Sequence, residues 1–116
     1  MEGGAATEDA GGFEGFEWDS AKSDATRAQR GFGFDAAAQI FKTDNWEHED
    51  TRRDYGEQRY VTTGEVDGRV VTAVWTPRGK RRRIIAAWQA SNRERREYRE
   101  YSEEIQRRGL AGEASD

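Results

Sequence analysis

Two tight-turn signals, Asp67-Gly68 and Thr76-Pro77-Arg78-Gly79, constrain the fold of this chain more than any other feature. The segments they separate, 57–63 and 69–76, alternate along their length and are rich in β-branched and aromatic residues, the composition of half-buried strands. Asp67-Gly68 suits a hairpin whose central residues need positive φ. Pro77 and Gly79 fit the second and fourth positions of a turn over 76–79, which leads into a strand over 81–90. The pattern predicts an antiparallel meander over 57–90.

The flanks read as helices and one short strand. Residues 13–17 form a first strand, with Phe16 and Trp18 on one side and acids on the other. Asp19 is placed to cap a helix over 20–30 that buries Ala21, Ala25 and Ala28 and closes at Gly31. Phe34, Ala37, Ala38 and Phe41 fall at i, i+3, i+4 and i+7, so a second helix spans 35–42. An irregular strand over 45–50 and a polar loop over 51–56 follow. Ser91-Asn92-Arg93-Glu94 has the form of a capping box, starting a last helix that runs to about Arg108 and stops at Gly109. Tyr98, Tyr101 and Ile105 share one face of it, while Glu103 with Arg107 and Glu104 with Arg108 make i, i+4 pairs. The expected fold is α+β: an antiparallel sheet with two N-terminal helices and one C-terminal helix.

A length of 116 residues allows one domain, placed at 13–108, with 1–12 and 109–116 as disordered tails poor in large apolar groups. The chain lacks cysteine and has a single histidine, His48, read here as a surface residue. Thiolate metal sites, His-rich metal sites and paired-histidine ribonuclease chemistry are therefore not expected, and no cofactor is. With no apolar stretch of signal-peptide or spanning length, a soluble cytoplasmic protein is expected.

The net charge of −4 conceals a segregation. Residues 13–68 carry −6, whereas residues 69–108 carry +7. A basic C-terminal sheet and helix suit phosphates or an acidic protein, although charge runs are more commonly a solvated surface. Cleaving RNA with its own 2′-hydroxyl requires a base for that hydroxyl, stabilisation of charge on phosphorus, and a proton for the departing oxygen. Arginine serves the middle task and is a poor base. Lys22, Glu57 or Tyr55 is left to fill the role of base.

Phe16-Glu17-Trp18-Asp19 with Lys22, Arg30-Gly31, the Phe34 helix ending in Phe41, and Asp50-Thr51-Arg52-Arg53 occur in order along the chain. They are followed by Tyr55-Gly56-Glu57-Gln58-Arg59, Asp67-Gly68-Arg69, Thr76-Pro77-Arg78-Gly79, Arg83-Ile84-Ile85, and Glu94, Arg95 and Tyr98. This ordered set, covering about 13–105, resembles the BrnT family of toxins. The resemblance implies a RelE-like fold in a bacterial toxin–antitoxin system, with ribonuclease activity that arrests translation. It also implies neutralisation by a BrnA-like antitoxin with a ribbon-helix-helix region, in a heterotetramer that meets operator DNA through the antitoxin.

Two stretches depart from the family pattern. Thr26 and Gln29-Arg30-Gly31 stand where Asn and Lys-His-Gly are usual, and Ile85-Ala86-Ala87-Trp88 stands where Ile-Ser-Ala-Arg is usual. Catalysis then rests on other residues, or the chain works mainly through its partner. The cations within family-like motifs, Lys22, Arg59, Arg78 and Arg83, are the candidate catalytic residues. Lys80, Arg81, Arg82, Arg69 and Trp88 are candidate RNA or antitoxin contacts. The competing structural readings are a helix-surface role for Lys22, cross-strand ion pairs for Arg59 and Arg83, and a core position for Trp88, as for Trp75. Three functions follow: a toxin ribonuclease, a catalytically weakened antitoxin-binding module, and a non-catalytic RNA-binding domain.

Overall fold

A computed structural model describes residues 12–114. The elements are β1 (Gly15–Trp18), α1 (Ser20–Arg30), α2 (Phe34–Ala37) running into a 3-10 segment (Ala38–Lys42), β2 (Asn45–Glu49), β3 (Tyr60–Val66), β4 (Arg69–Arg78), β5 (Arg81–Gln89) and α3 (Asn92–Ala114). The five strands form one sheet in the order β1-β5-β4-β3-β2. The meander is as expected, but the sheet is mixed, since β1 lies parallel to β5 with Glu17 opposite Arg83.

Both hairpins use two-residue loops. Asp67 (φ 51) and Gly68 (φ 77) are both left-handed, as the expected primed turn demands. Its register pairs Val66 with Arg69, which carries β3 on to Val66; the strand starts at Tyr60 rather than at 57. The second turn differs from the expected one. Arg78 pairs with Arg81 around Gly79-Lys80, with Gly79 at φ 61, and Pro77 lies inside β4 opposite Arg82. Proline is tolerated there because β3 begins at Tyr60, opposite Trp75, so Pro77 lies beyond the β3 ladder.

One face of the sheet holds the core. Val71, Ala73, Trp75, Ile84 and Ala87 pack under Phe32, Phe34, Ala37, Ala38, Ile40 and Phe41, with Phe16 and Trp18 joining from β1. The second helix is one α turn followed by 3-10 winding, which lines up residues three apart and brings Ile40 as well as Phe41 inward. In α1 the expected alanines are exposed, and Ser23 is the buried residue. Its hydroxyl accepts the Phe34 N–H (2.9 Å), a polar seam between the helices that an apolar-stripe reading misses. Asp19 caps α1 and Gly31 closes it (φ 87), as expected.

The other face carries α3. Its capping box forms reciprocally, Glu94 N–H to Ser91 Oγ (3.1 Å) and Ser91 N–H to Glu94 Oε1 (2.8 Å). Tyr101 packs on Trp46 with ring centroids 5.3 Å apart. Glu104 pairs with both Arg107 and Arg108. The helix passes through Gly109 to Ala114, because Gly109 does not take the left-handed conformation that would end it. The expectations for residues 1–11 and 115–116 concern segments outside the described residues. Among the described residues no helix is long and apolar enough to cross a membrane.

Candidate active site

Strand alternation sends odd positions of β3 and even positions of β4 to the α3 side. Where α3 does not lie over it, that face shows a polar row across the sheet. Asp50 donates its N–H to the Arg59 carbonyl (2.7 Å), one step past the last β2–β3 pair. Arg59 in turn precedes Tyr60, the partner of Trp75. Thr76 is opposite Arg83, and Arg83 is opposite Glu17. The row therefore reads Asp50, Arg59, Thr76, Arg83, Glu17, with neighbours about 5 Å apart in the pairing direction.

Each guanidinium in it has a carboxylate. Arg83 Nη1 donates to Glu17 Oε2 (2.9 Å), and Arg59 Nε donates to Glu57 Oε2 (3.0 Å). Arg78, one row along and half exposed, brings Nη2 to 4.0 Å from Glu57 Oε1. Glu57 thus sits between two guanidiniums. Arg59 also lies over the Tyr55 ring, 4.2 Å from its centroid. Such a stack adds about 0.5–2 kcal/mol depending on desolvation and fixes the plane of the fork.

The loop carrying Tyr55 and Glu57 is anchored at Asp50. Its buried carboxylate accepts Arg52 Nε (2.8 Å), Arg52 Nη2 (2.8 Å), the Arg52 N–H (3.2 Å) and the Tyr55 hydroxyl (3.0 Å). Hydrogen bonds from Arg52, aided by Tyr55 and opposed by burial, hold Asp50 well below the usual carboxylate range, and Asp50 pushes Arg52 further up. Thr76 Oγ1 ties the same loop to β4 through the Gln58 carbonyl (2.7 Å).

Of the four candidate catalytic cations, Arg59, Arg78 and Arg83 share this face. Arg78 is at a strand end rather than a turn apex. Lys22 is exposed on α1, which packs against β5 and α2 on the other side of the sheet from the arginines. The basic run 80–83 is divided by the strand. Lys80 pairs with Glu14 (3.6 Å), Arg81 is exposed, and Arg83 faces the row.

Arg82 was expected at a surface contact and instead points into the core, 5% exposed, because it is opposite Pro77 on the helix-facing side. Its guanidinium lies 4.3–4.8 Å from the ring centroids of Phe41, Trp75 and Phe13. Burial pushes it down to about 10, still protonated at neutral pH. Arg69 stands at the far end of β4, over Phe32. Trp88 and Ala86 lie on the row's face of β5, opposite Thr72 and Val74. Thr26 is half-buried on α1, and Arg30 is exposed at its end.

Sequence reasoning missed Glu17 and the Asp50–Arg52 clamp. The Asp-x-Arg spacing could have shown the clamp. A parallel pairing across the whole domain leaves no local signal for Glu17.

Fold and site together define a small α+β domain whose candidate site is an arginine-lined sheet face. Residues 18–94 match the family model described as "Ribonuclease toxin, BrnT, of type II toxin-antitoxin system". The chain belongs to the BrnT toxin family, whose type II character implies an antitoxin partner. No curated protein matches the chain.

Proposed function

We propose that the chain is an endoribonuclease of RelE-like fold that cleaves RNA through its own 2′-hydroxyl and arrests translation in the bacterial cytoplasm. The observation that carries this reading is the gathering of Arg59, Arg78 and Arg83 on one sheet face around Glu57 and Thr76. Arg59 and Arg83 grip the scissile phosphate and stabilise its extra negative charge, and Arg78 adds a third cation at the rim. Glu57, beside two of these arginines, takes the 2′-hydroxyl proton, and the departing 5′-oxygen takes its proton from solvent water. Tyr55 is the less suited base, since its hydroxyl donates to Asp50. Lys22, a catalytic candidate in the sequence, stands on α1 apart from these arginines and in this reading contacts substrate rather than catalysing.

A BrnA-like ribbon-helix-helix antitoxin covers the arginine face in a heterotetramer, excluding RNA and carrying the complex to operator DNA. Neutralisation is then competitive with RNA. Expression without the antitoxin is expected to stop growth with loss of RNA, and Arg59→Ala with Arg78→Ala to relieve the arrest by at least tenfold in cleavage rate. A folded double variant that cleaves at the wild-type rate rejects this site.

A second reading draws on a specific observation. Arg52, Arg59 and Arg83 each already hold a carboxylate of the same chain, so the face is partly self-neutralised. In this reading the protein binds its antitoxin and contributes to repression without cutting RNA. Normal growth during expression of folded wild-type protein decides for it.

A further inference from the structure

On the same sheet face as the arginine row, a cleft of about 260 Å³ opens between residues 48–52 and the start of α3, lined by Val61, Trp88, Arg52, Arg93 and Glu97 among others. Successive rows on this face run Arg59, Thr76, Arg83; then Val61, Val74, Ala86; then Thr63, Thr72, Trp88. At about 3.3 Å per residue the Trp88 row lies about 13 Å from the arginine row, with the cleft between them.

Three features decide what can enter. The indole of Trp88 is held in place: Nε1 donates to Glu94 Oε1 (3.1 Å), and that oxygen also accepts the Thr72 hydroxyl (3.1 Å) and the Ser91 N–H (2.8 Å). An aromatic plane fixed in this way is a stacking platform that needs no ordering on binding. The charges around the cleft favour a neutral group. The carboxylates of Glu49, Asp50, Glu94 and Glu97 outnumber the guanidiniums of Arg52 and Arg93, so a phosphate is turned away towards the arginine row. The volume falls just below the roughly 300–1,000 Å³ of pockets for drug-sized ligands and suits one planar ring system.

We infer that this cleft takes one unstacked RNA base, seated on Trp88 while an adjacent phosphate lies on Arg59 and Arg83. The inference rests on the RNA reading above and adds to it a subsite made by Trp88. Ala86, opposite Val74 in the intervening row, places only a methyl group between the two on β5.

The test uses the full chain and a short RNA made uncleavable by 2′-O-methyl groups, with and without an abasic nucleotide at one position in turn. At low salt the wild type is expected to lose about 5- to 150-fold in affinity when the seated base is removed. Trp88→Leu is expected to bind intact and abasic RNA alike, and a folded Trp88→Leu protein that keeps the full wild-type penalty overturns the inference. A second measurement stays on the wild type and does not depend on that variant folding. The Trp88 indole N–H resonance is expected to shift on saturation with intact RNA and not with the abasic form that binds most weakly; a resonance unmoved by saturating intact RNA overturns the inference as well. Failure of the RNA reading itself looks different, because then neither oligonucleotide binds.

Discussion

Asp50 ties the candidate site to folding through a single carboxylate that accepts four hydrogen bonds. Its pKa is depressed in the folded protein, so its stabilisation is complete above the unfolded value of about 4 and is lost as pH falls through the folded one. Asp50→Asn is expected to lower the urea midpoint at pH 7 and to flatten the fall in stability below about pH 4. An unchanged acid limb in the variant would show that the clamp does not contribute. Arg82 makes a separate prediction. Its cation faces three rings inside the core, where such contacts contribute about 2 kcal/mol or more once desolvated. Arg82→Ala is expected to destabilise the domain by at least that amount in urea titration. The run Lys80-Arg81-Arg82-Arg83 hides this residue in sequence, because a cluster of like charges reads as surface. The period of two along β5 decides otherwise, sending Arg81 and Arg83 to one side and Arg82 to the other.

At the scale of the element, α1 is held by a hydroxyl rather than by its alanines. Ser23→Ala leaves the buried Phe34 N–H without its acceptor and is expected to cost about 1–3 kcal/mol, against little for Ala25→Ser on the exposed side. Thermal melts of the two variants check the contrast. Gly64 in β3 has no room for a side chain: an added Cβ would meet the Ile40 Cβ at 2.9 Å, so Gly64→Ala is expected to destabilise by about 1–3 kcal/mol through overpacking. The turn residues and helix caps made most elements readable, since Asp67-Gly68, Asp19 and Ser91 with Glu94 act within a few residues of themselves. The parts that escaped depend on distant strands. Where β3 starts depends on the loop before it, held by Asp50 and by Thr76 of β4, and the arginine row exists only once β3, β4, β5 and β1 are laid side by side.

For the whole molecule, the segregation of charge along the sequence does not become a simple basic hemisphere. Acidic residues from the first half, Glu17, Asp50 and Glu57, are folded onto the arginines of the site. Under the proposed function RNA competes with these internal partners, so its affinity is expected to fall with salt less steeply than a count of the exposed arginines suggests. A slope of log affinity against log salt close to −0.7 per exposed arginine, measured on single-stranded RNA, would refute this screening.

The parallel pairing of β1 with β5 gives the molecule a timetable. Glu17 and Arg83 are 66 residues apart, and β1 has no strand beside it until residues 81–84 are made. At about 5–20 residues per second, a ribosome exposes Glu17 roughly 3 to 13 s before Arg83. The face proposed to act on RNA is therefore among the last parts of the domain to assemble. During most of its own synthesis, a growing chain presents no finished site to the messenger and ribosome beside it.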